Sequence, residues 1–491
     1  MRVFEEGNLA SVSIKMKKLT KIEIENLHGV FTYSLSMAGP AFQDTAILYG
    51  ENGSGKTTLL RLVFHMLSAA GNRGHRTYIR KIPFKKLLLE LSDGTVLSVA
   101  REGDSVHSPI EYAIIIPGEN DVIYRHISDE LRERLTVDVM SHRNQNQISS
   151  KSFPFWRKSF SDDFQEKYQH IFRDSDDVAQ KRYLETLAKV APQTYYISTE
   201  RQIQSDQLEN NDEPAARQRI ETRGELIAST RSAYLKQALN AGSKAIHADV
   251  FKAANVGGAD SNEVYKNLVS MLATAEPGTD GDSHDLEDLL QQLRKLRIRN
   301  RSFARLGLMP SFNMQDIFPI LRSSSTQNKK IIELVVKPYI DSTNKRLDAL
   351  EPVHRMIRIF LNSLNNFFRY KKITFRLGAG FQIFGMQQET LAPDQLSSGE
   401  QQLLLIFCNV LASRSGASLF VIDEPEISLN VKWQRNLVDS LRNIISGSGA
   451  QLLIATHSIE LLSQHSDSVV ALKPTKISRK AYQQNDTEEN D

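Results

Sequence analysis

Alternating apolar and polar residues near the start of the chain predict β-strands that bury one face. Leu19 to Leu27 and Phe31 to Met37 both alternate in this way, which is the spacing of side chains on one side of a strand. The segment from Phe84 to Glu102 is a hairpin candidate, because it contains Asp93–Gly94, a pair that favours a tight turn. The pattern therefore predicts two strands followed by a hairpin.

Short apolar runs without alternation predict strands that are buried on both faces. They lie at Ala46 to Tyr49, Leu419 to Ile422 and Leu452 to Ala455, and such runs are typical of parallel sheets. After the first run, the apolar residues between Leu59 and Ala70 recur at helical spacing. Strands of both kinds with helices between them predict an α/β fold with a mixed β-sheet.

The middle of the chain predicts helices. Residues from about Glu213 to Ala273 and from Lys329 to Phe368 have helical composition and periodicity. Between them, apolar residues at alternating spacings of three and four form a seam: Leu286, Leu289, Leu293, Leu296, Asn300 and Phe303. We interpret the seam as a short coiled-coil-like arm of a helical hairpin, with the second helical region as its partner. An ordinary core helix is the alternative.

The segment GENGSGKTT lies between the first apolar run and its helix. Its spacing of glycines, lysine and threonine is that of a phosphate-binding loop, in which backbone N–H groups and the positive end of a helix face phosphate oxygens. Lys56 is expected to reach the β- and γ-phosphates, and the Thr57 hydroxyl to bind Mg²⁺. The predicted nucleotide-binding residues are Gly50, Glu51, Asn52, Gly53, Ser54, Gly55, Lys56, Thr57 and Thr58.

Two carboxylates follow the second apolar run. Asp423 ends a buried strand, where it suits Mg²⁺ coordination beside a phosphate loop. Glu424 is placed to act as the general base towards the attacking water. His457 follows the next strand, and we expect it to sense the γ-phosphate. An acidic strand-to-loop turn and a structural histidine are the alternatives.

The stretch from Leu396 to Ala412 starts with LSSGE. Ser397 and Glu400 form a capping-box pattern that begins an apolar helix, and a capped helix start is a further anion site. Because one phosphate loop already serves the nucleotide, the second anion site is expected to complete the nucleotide site of another copy of the chain.

The order of these motifs resembles that of ABC-class ATPases. The phosphate loop, LSSGE, VIDEPE, SLN and ATHS correspond to Walker A, signature, Walker B, D-loop and switch histidine. The chain looks like the soluble SMC-like and RecF-like branch. In residues 19–80 and 372–462 it looks most like OLD-family ATPases, which include subunits of Septu-type, retron-associated and PARIS-type anti-phage systems. The signature departs from L-S-G-G-Q at Ser398 and Glu400.

The resemblance implies a head-to-tail homodimer with composite sites that bind ATP and Mg²⁺, and higher homo-oligomers are left open. Ser397 and Gly399 would touch the γ-phosphate held by the partner. Ser428 and Asn430 would lie at the D-loop crossing between subunits.

Gln202, after a strand-like segment, is the candidate Q-loop glutamine, with Gln204 and Gln207 as competitors. OLD-type nucleases continue into a Toprim nuclease after the ATPase, whereas 34 residues (491 − 457) follow His457 here. We therefore expect any nuclease effector to be a separate chain.

The implied architecture is an ABC-ATPase head interrupted by a long helical insertion. The expected segments are residues 1–18 (N-terminal arm), 19–110 (first half of the head), 111–371 (insertion), 372–474 (second half of the head) and 475–491 (disordered tail).

Composition sets wider limits. With 491 residues, of which 40% are hydrophobic and 24% charged, the chain is expected to form two or three units with a large core. Cys408 is its single cysteine, which excludes a disulfide framework and a multi-cysteine zinc site. No apolar run approaches the roughly 20 residues that span a bilayer, and the first residues do not form a secretion signal. We expect a cytoplasmic protein without membrane contact.

These expectations point to an Mg²⁺-dependent ATPase subunit of a bacterial anti-phage system, one that senses infection and controls a separate nuclease or toxin. A DNA-repair or chromosome-maintenance ATPase of the RecF or SMC kind is the alternative, and a nucleotide-gated scaffold is a third. The net charge of +3 favours no partner, but two basic runs, Arg73 to Lys86 and Arg294 to Arg305, leave contact with nucleic acid open.

Overall fold

The structure is a computed structural model that describes residues 17–103, 108–126, 176–199, 203–204, 232–255, 283–311, 326–414, 416, 418–474 and 476–477. Its strands are β1 (Leu19–Leu27), β2 (Phe31–Ser36), β3 (Thr45–Tyr49), β4 (Lys86–Leu91), β5 (Val96–Arg101), β6 (Ile110–Ile115), β7 (Val122–His126), β8 (Thr194–Ile197), β9 (Ile203–Gln204), β10 (Lys372–Arg376), β11 (Gly380–Phe384), β12 (Thr390–Leu391), β13 (Leu419–Asp423), β14 (Gln451–Thr456), β15 (Val469–Ala471) and β16 (Lys476–Ile477). Its α-helices are α1 (Lys56–Leu67), α2 (His75–Lys81), α3 (Asp176–Val190), α4 (residues 232–255), α5 (Ser283–Arg305), α6 (Thr326–Phe367), α7 (Ser398–Ser413), α8 (Val431–Ile445) and α9 (Ile459–Leu462). Short 3₁₀ turns lie at Pro40–Phe42, Pro393–Gln395 and Ser466–Ser468.

A seven-stranded antiparallel sheet has the order β16–β2–β1–β4–β5–β6–β7. In β1 the apolar residues Leu19, Ile22, Ile24 and Leu27 are buried, and the residues between them are half-buried or exposed. The β4–β5 hairpin turns at Gly94, whose φ of 83° suits glycine. The two strands predicted from alternation and the hairpin predicted from its turn are therefore confirmed.

A six-stranded sheet has the order β15–β3–β14–β13–β8–β9 and is parallel except for the β8–β9 pair. Every residue of β13 and β14 is buried, which explains why both sequences are apolar runs rather than alternating ones. Since β3, β14 and β13 are neighbours and run in the same direction, their carboxyl ends meet at one edge of the sheet. The predicted α/β class is confirmed.

The chain divides into two compact units, each contributed by separate stretches of sequence. The first unit comprises Met1–Glu213, Gly416–Val438 and Ile445–Asp491, and the second comprises Pro214–Ser415 and Asp439–Ile444. Both large sheets lie in the first unit.

These units differ from the expected segments. An insertion starting at residue 111 cuts through the antiparallel sheet, because β6 and β7 continue it to His126. The prediction of a disordered tail from residue 475 is wrong for Lys476 and Ile477. These two residues pair with Thr32 and Phe31 of β2. Residues 1–16 and 478–491 lie outside the described part of the chain.

In the second unit, α5 and α6 pack as a helical hairpin. The seam residues Leu289, Leu293, Leu296 and Phe303 are buried, and the Phe303 ring stacks on His354 of α6 with 4.1 Å between ring centroids. The prediction of a hairpin with the second helical region is confirmed.

Polar side chains of α5 bind both the segment that follows it and α6. Asn300, at a seam position, donates from its side-chain amide to the Pro310 carbonyl at 2.9 Å. Arg299 forms an ion pair with Asp348 at 2.7 Å. The Leu286 side chain lies outside the described residues, and of the predicted helical region from Glu213 to Ala273 only residues 232–255 are described, which are helical. Across the described residues, no helix is both long and apolar enough to span a bilayer.

Candidate functional site

The phosphate-loop sequence connects β3 to α1 with the backbone that its glycines allow. Gly53 and Gly55 have φ of 80° and 77°, a conformation that costs other residues strain. A Cβ at Gly50 would lie 2.8 Å from the Ser54 hydroxyl oxygen and 3.2 Å from the Leu472 Cβ. A side chain at position 50 would therefore displace the Ser54 hydroxyl and crowd Leu472, and the conformations at Gly53 and Gly55 favour glycine. Helix α1 begins directly after the loop, at Lys56.

The side chain of Lys56 folds back into the phosphate loop that precedes it. Its side chain is 5% exposed and its ammonium donates to the carbonyl oxygens of Gly50 at 2.7 Å and Glu51 at 2.8 Å. The Tyr33 hydroxyl donates to the Ser54 carbonyl at 2.8 Å and fixes the loop from β2. No described carboxylate forms an ion pair with Lys56. Its buried charge therefore suits an anion held by the loop.

Asp423 lies at the carboxyl end of β13 and is 2% exposed. Its carboxylate accepts hydrogen bonds from the hydroxyls of Thr57 (3.3 Å), Tyr196 (3.3 Å) and Thr199 (3.0 Å). Burial raises the pKa of Asp423 and the nearby Glu424 charge raises it further, against the lowering by the hydroxyl hydrogen bonds. No described Lys or Arg is within ion-pair distance of this carboxylate.

The oxygen atoms of Asp423 and Thr57 are suitable ligands for Mg²⁺. A carboxylate and a hydroxyl are hard oxygen ligands, and a cation would offset the cost of burying the Asp423 charge. Thr57 and Asp423, which the sequence assigned to the metal, lie in contact although 366 positions separate them.

Glu424 follows Asp423 with a φ of 46°, which is uncommon for a residue with a side chain and is typical of functional turns. Its amide donates to the Ala455 carbonyl of β14 at 2.9 Å. The Oε1 atom lies 3.5 Å from Nδ1 of His457. The structure thus brings the predicted base and the predicted phosphate sensor together, at the edge of the sheet that carries the phosphate loop.

Glu426 is a residue of this site that sequence reasoning missed. It is 4% exposed; its Oε1 accepts from the Thr456 hydroxyl and, at 3.1 Å, from the His457 backbone N–H. Nδ1 of His457 lies 3.4 Å from the same oxygen. The signal in the sequence was a further acid in the VIDEPE turn, but its partner is 30 positions away on another strand.

The signature segment lies in the second unit, where it begins α7. Ser397 is the N-cap: its hydroxyl accepts from the Glu400 amide at 3.4 Å, and Glu400 accepts from the Ser397 amide at 2.7 Å. Burial alone would raise the pKa of Glu400, but hydrogen bonds from Lys371 and Ser397 hold it below its usual range. The predicted capping box is confirmed. Ser397 is exposed, whereas Gly399 is buried.

The remaining predicted residues have varied positions. Asn430 accepts from the Trp433 amide at 3.0 Å and caps α8, and Ser428 has a φ of 67° in the turn before it. Gln204 lies in β9. Gln202 and Gln207 lie outside the described residues, so the Q-loop assignment stays a prediction.

One protein-family profile matches most of the chain. The profile of a protein family described as "AAA domain, putative AbiEii toxin, Type IV TA system" matches residues 46–463. This range contains the phosphate loop, Asp423, Glu424 and His457.

Curated relatives match shorter stretches. A lipoprotein-releasing system ATP-binding protein LolD of Rhodospirillum rubrum is 36% identical over 85 residues, which cover 17% of this chain and 36% of that protein. A "Putative ABC transporter ATP-binding protein" of Pyrococcus abyssi is 24% identical over 179 residues, covering 32% of this chain and 67% of that protein. The chain thus spans about a third of the length of the LolD protein.

Among solved structures, the Smc head domain with an extended coiled coil from Pyrococcus furiosus, bound to the C-terminal domain of ScpA, aligns with a TM-score of 0.34 and 11% identity. The alignment covers 94% of this chain and 96% of that chain.

Proposed function

We propose, since the chain belongs to the family described as "AAA domain, putative AbiEii toxin, Type IV TA system", that it binds ATP with Mg²⁺ and hydrolyses it. One observation carries the proposal: the carboxyl ends of three neighbouring parallel strands place Lys56, Asp423 and the Glu424–His457 pair at one edge of a sheet. In parallel α/β sheets this edge is where ligands bind.

Each side chain has a chemical task in this proposal. Loop amides and Lys56 bind the phosphates, and Thr57 and Asp423 hold Mg²⁺, which neutralises phosphate charge when bound. Glu424 accepts the proton of the attacking water. His457, whose Nδ1 lies near the Glu424 carboxylate, orients that carboxylate and contacts the terminal phosphate.

Asp423→Asn tests the metal assignment. We expect Mg²⁺-dependent ATP turnover to fall at least about 100-fold, because the variant loses a charged metal ligand. Without nucleotide, the variant should unfold at the same temperature as the wild type or about 1–3 °C higher, because a buried charge is removed while size is kept. Turnover and thermal unfolding check both expectations.

Asp44→Asn is the matched control, since Asp44 is a surface carboxylate of the same unit paired with Lys18. It should leave turnover unchanged. Full turnover in Asp423→Asn would remove that residue from the site.

We further propose that this ATPase is a cytoplasmic homodimeric subunit of an anti-phage system and acts on a separately encoded effector. The family description and the resemblance of the motifs to OLD-type defence ATPases support this role. Expressed with its neighbouring genes, the wild type should reduce phage plaques and Asp423→Asn should not. Equal protection by both would contradict an ATP-dependent defence role.

The alternative, an ATPase that acts on DNA directly, is favoured by one surface of the second unit. The outward side of α5 carries the basic stripe, which we define as Arg294, Arg297, Arg301 and Arg305. These residues are three or four positions apart on one helix face, are all exposed, and cover about 16 Å of axis. The stripe lacks aromatic side chains for base stacking, so it suits the phosphates of duplex DNA.

The other basic run is partly used within the fold. Arg76 is 8% exposed, donates to the carbonyls of His65 and Ser68 at 2.8 and 2.7 Å, and lies over the Tyr112 and Tyr183 rings. It therefore stabilises the first unit, and we base no DNA contact on it.

Replacing Arg297, Arg301 and Arg305 together by Glu tests the stripe. We expect duplex DNA affinity at moderate salt to fall about 10- to 100-fold, with a smaller salt dependence, because phosphate contacts are lost. Fluorescence anisotropy across a salt series measures both.

The matched control reverses Lys181, Arg182 and Lys189, exposed cations of α3, and changes the net charge equally. A similar loss in the control would mean that binding follows net charge. Unchanged binding in the stripe variant would contradict the DNA surface.

A further inference from the structure

We propose that Glu426 is a positioning residue, which holds the ring of His457 in the orientation and tautomer that turnover needs. The inference deepens the proposed ATPase function and rests on it. Sequence reasoning gave Glu426 no task, and Asp423 and Glu424 already account for metal binding and proton transfer.

Within the described part of the chain, the hydrogen bonds to the Glu426 carboxylate all come from the end of β14 and the residue after it. One carboxylate oxygen, Oε1, accepts from the Thr456 hydroxyl and from the His457 backbone N–H and lies 3.4 Å from the His457 ring. Thr456 in turn accepts from the Ser458 amide at 2.9 Å. Glu426 therefore fixes the His457 backbone against the turn that carries Glu424, and it places a carboxylate oxygen beside the His457 ring.

This carboxylate is poorly suited to a purely stabilising role. Glu426 is 4% exposed, and none of the described residues donates to its buried Oε2 atom. No described Lys or Arg lies within ion-pair distance of the Glu426 carboxylate. A buried carboxylate with an unused oxygen costs folding free energy, and residues that break local rules at such cost are expected at functional sites.

The charge of Glu426 affects which ring nitrogen of His457 carries a proton. Nδ1 of His457 lies between two carboxylates, 3.5 Å from Glu424 and 3.4 Å from Glu426. Ionised carboxylates only accept hydrogen bonds, so this arrangement favours a proton on Nδ1. Nε2 is then the ring nitrogen available to a phosphate or water. A neutral amide at position 426 would weaken that preference.

Glu426→Gln keeps the size of the side chain and removes its charge. We expect turnover (kcat) to fall at least about tenfold, as when a carboxylate partner of a functional histidine is lost. The KM for ATP should change less than about twofold, because the phosphate loop is untouched. The thermal midpoint should stay equal or rise, since a buried charge is gone. A purely structural residue would lose stability together with activity.

A double-mutant cycle shows whether Glu426 acts through His457. With His457 replaced by Ala, Glu426→Gln should lower kcat further by less than about twofold, because the group that it positions is missing. Glu460→Gln, a surface carboxylate that pairs with Arg435, is the matched control and should keep the wild-type kcat.

The outcomes separate this inference from the function on which it rests. If the wild type turns over ATP and Glu424→Gln does not, a normal rate in Glu426→Gln overturns the inference alone. The inference is also overturned if the kcat losses of Glu426→Gln and His457→Ala multiply in the double variant. A loss of kcat that accompanies a lower thermal midpoint overturns it as well. A wild type without turnover overturns the proposed function and this inference with it.

Discussion

Glu424→Gln should bind ATP and stop hydrolysing it. The substitution keeps the shape of the side chain and its contact with the His457 region but removes the base, so we expect turnover to fall about 100- to 10,000-fold. Because the phosphate loop and Lys56 are unchanged, ATP affinity should stay within about threefold. Single-turnover kinetics and equilibrium binding measure the two quantities separately.

The same variant should accumulate the ATP-bound dimer that a composite site requires. With ATP, Glu424→Gln should form a dimer or larger species that ADP does not induce, measured as mass by light scattering. Lys56→Ala is the control, since it should bind ATP weakly and stay unassembled. If Glu424→Gln stays monomeric with ATP at all concentrations while the wild type hydrolyses normally, the paired-site mechanism is wrong.

Mixing two inactive variants should restore turnover if the working site is composite. Lys56→Ala removes the phosphate grip of one chain, and Ser397→Arg blocks the helix start that we expect to cap the nucleotide of the other chain. A mixed dimer then has one site with both lesions and one with neither. An isolated mixed dimer should reach about half of the wild-type rate, and randomly paired chains about a quarter.

Two results of the mixing experiment would count against a composite site that works as proposed. Turnover by Ser397→Arg alone would mean that the signature helix does not contact the nucleotide. No recovery in a mixed dimer whose formation is verified by mass would mean that the two sites must act together or that the site is not shared. The turnover of the Lys56→Ala variant alone gives the background rate.

The local elements of the protein could be predicted because each depends on near neighbours. β1 has the predicted bounds, Leu19–Leu27, since alternation is a property of the strand itself. The capping box of Ser397 and Glu400 joins residues three positions apart and forms within the first turn of one helix. The phosphate loop was recognisable because glycine is required by its own backbone conformation.

Errors arose where an element depends on distant partners. Nothing in the sequence of β6 shows that it pairs with β5 and extends the antiparallel sheet, so the insertion was predicted to start too early. Likewise Lys476 and Ile477 have a polar surrounding sequence, yet they form an edge pairing with β2, which backbone hydrogen bonds provide regardless of side chains.

The sequence by itself determined the strand and helix periods, the phosphate loop and the acidic strand end, because these are encoded over a few residues. Only the tertiary structure decided which groups meet. Asp423 receives hydrogen bonds from Tyr196 and Thr199 of another strand and its following turn, and Glu426 contacts Thr456 and His457 across the sheet. Strand order is set by the total burial of many side chains and backbone groups, so neighbours across a sheet cannot be obtained from the local pattern of either strand.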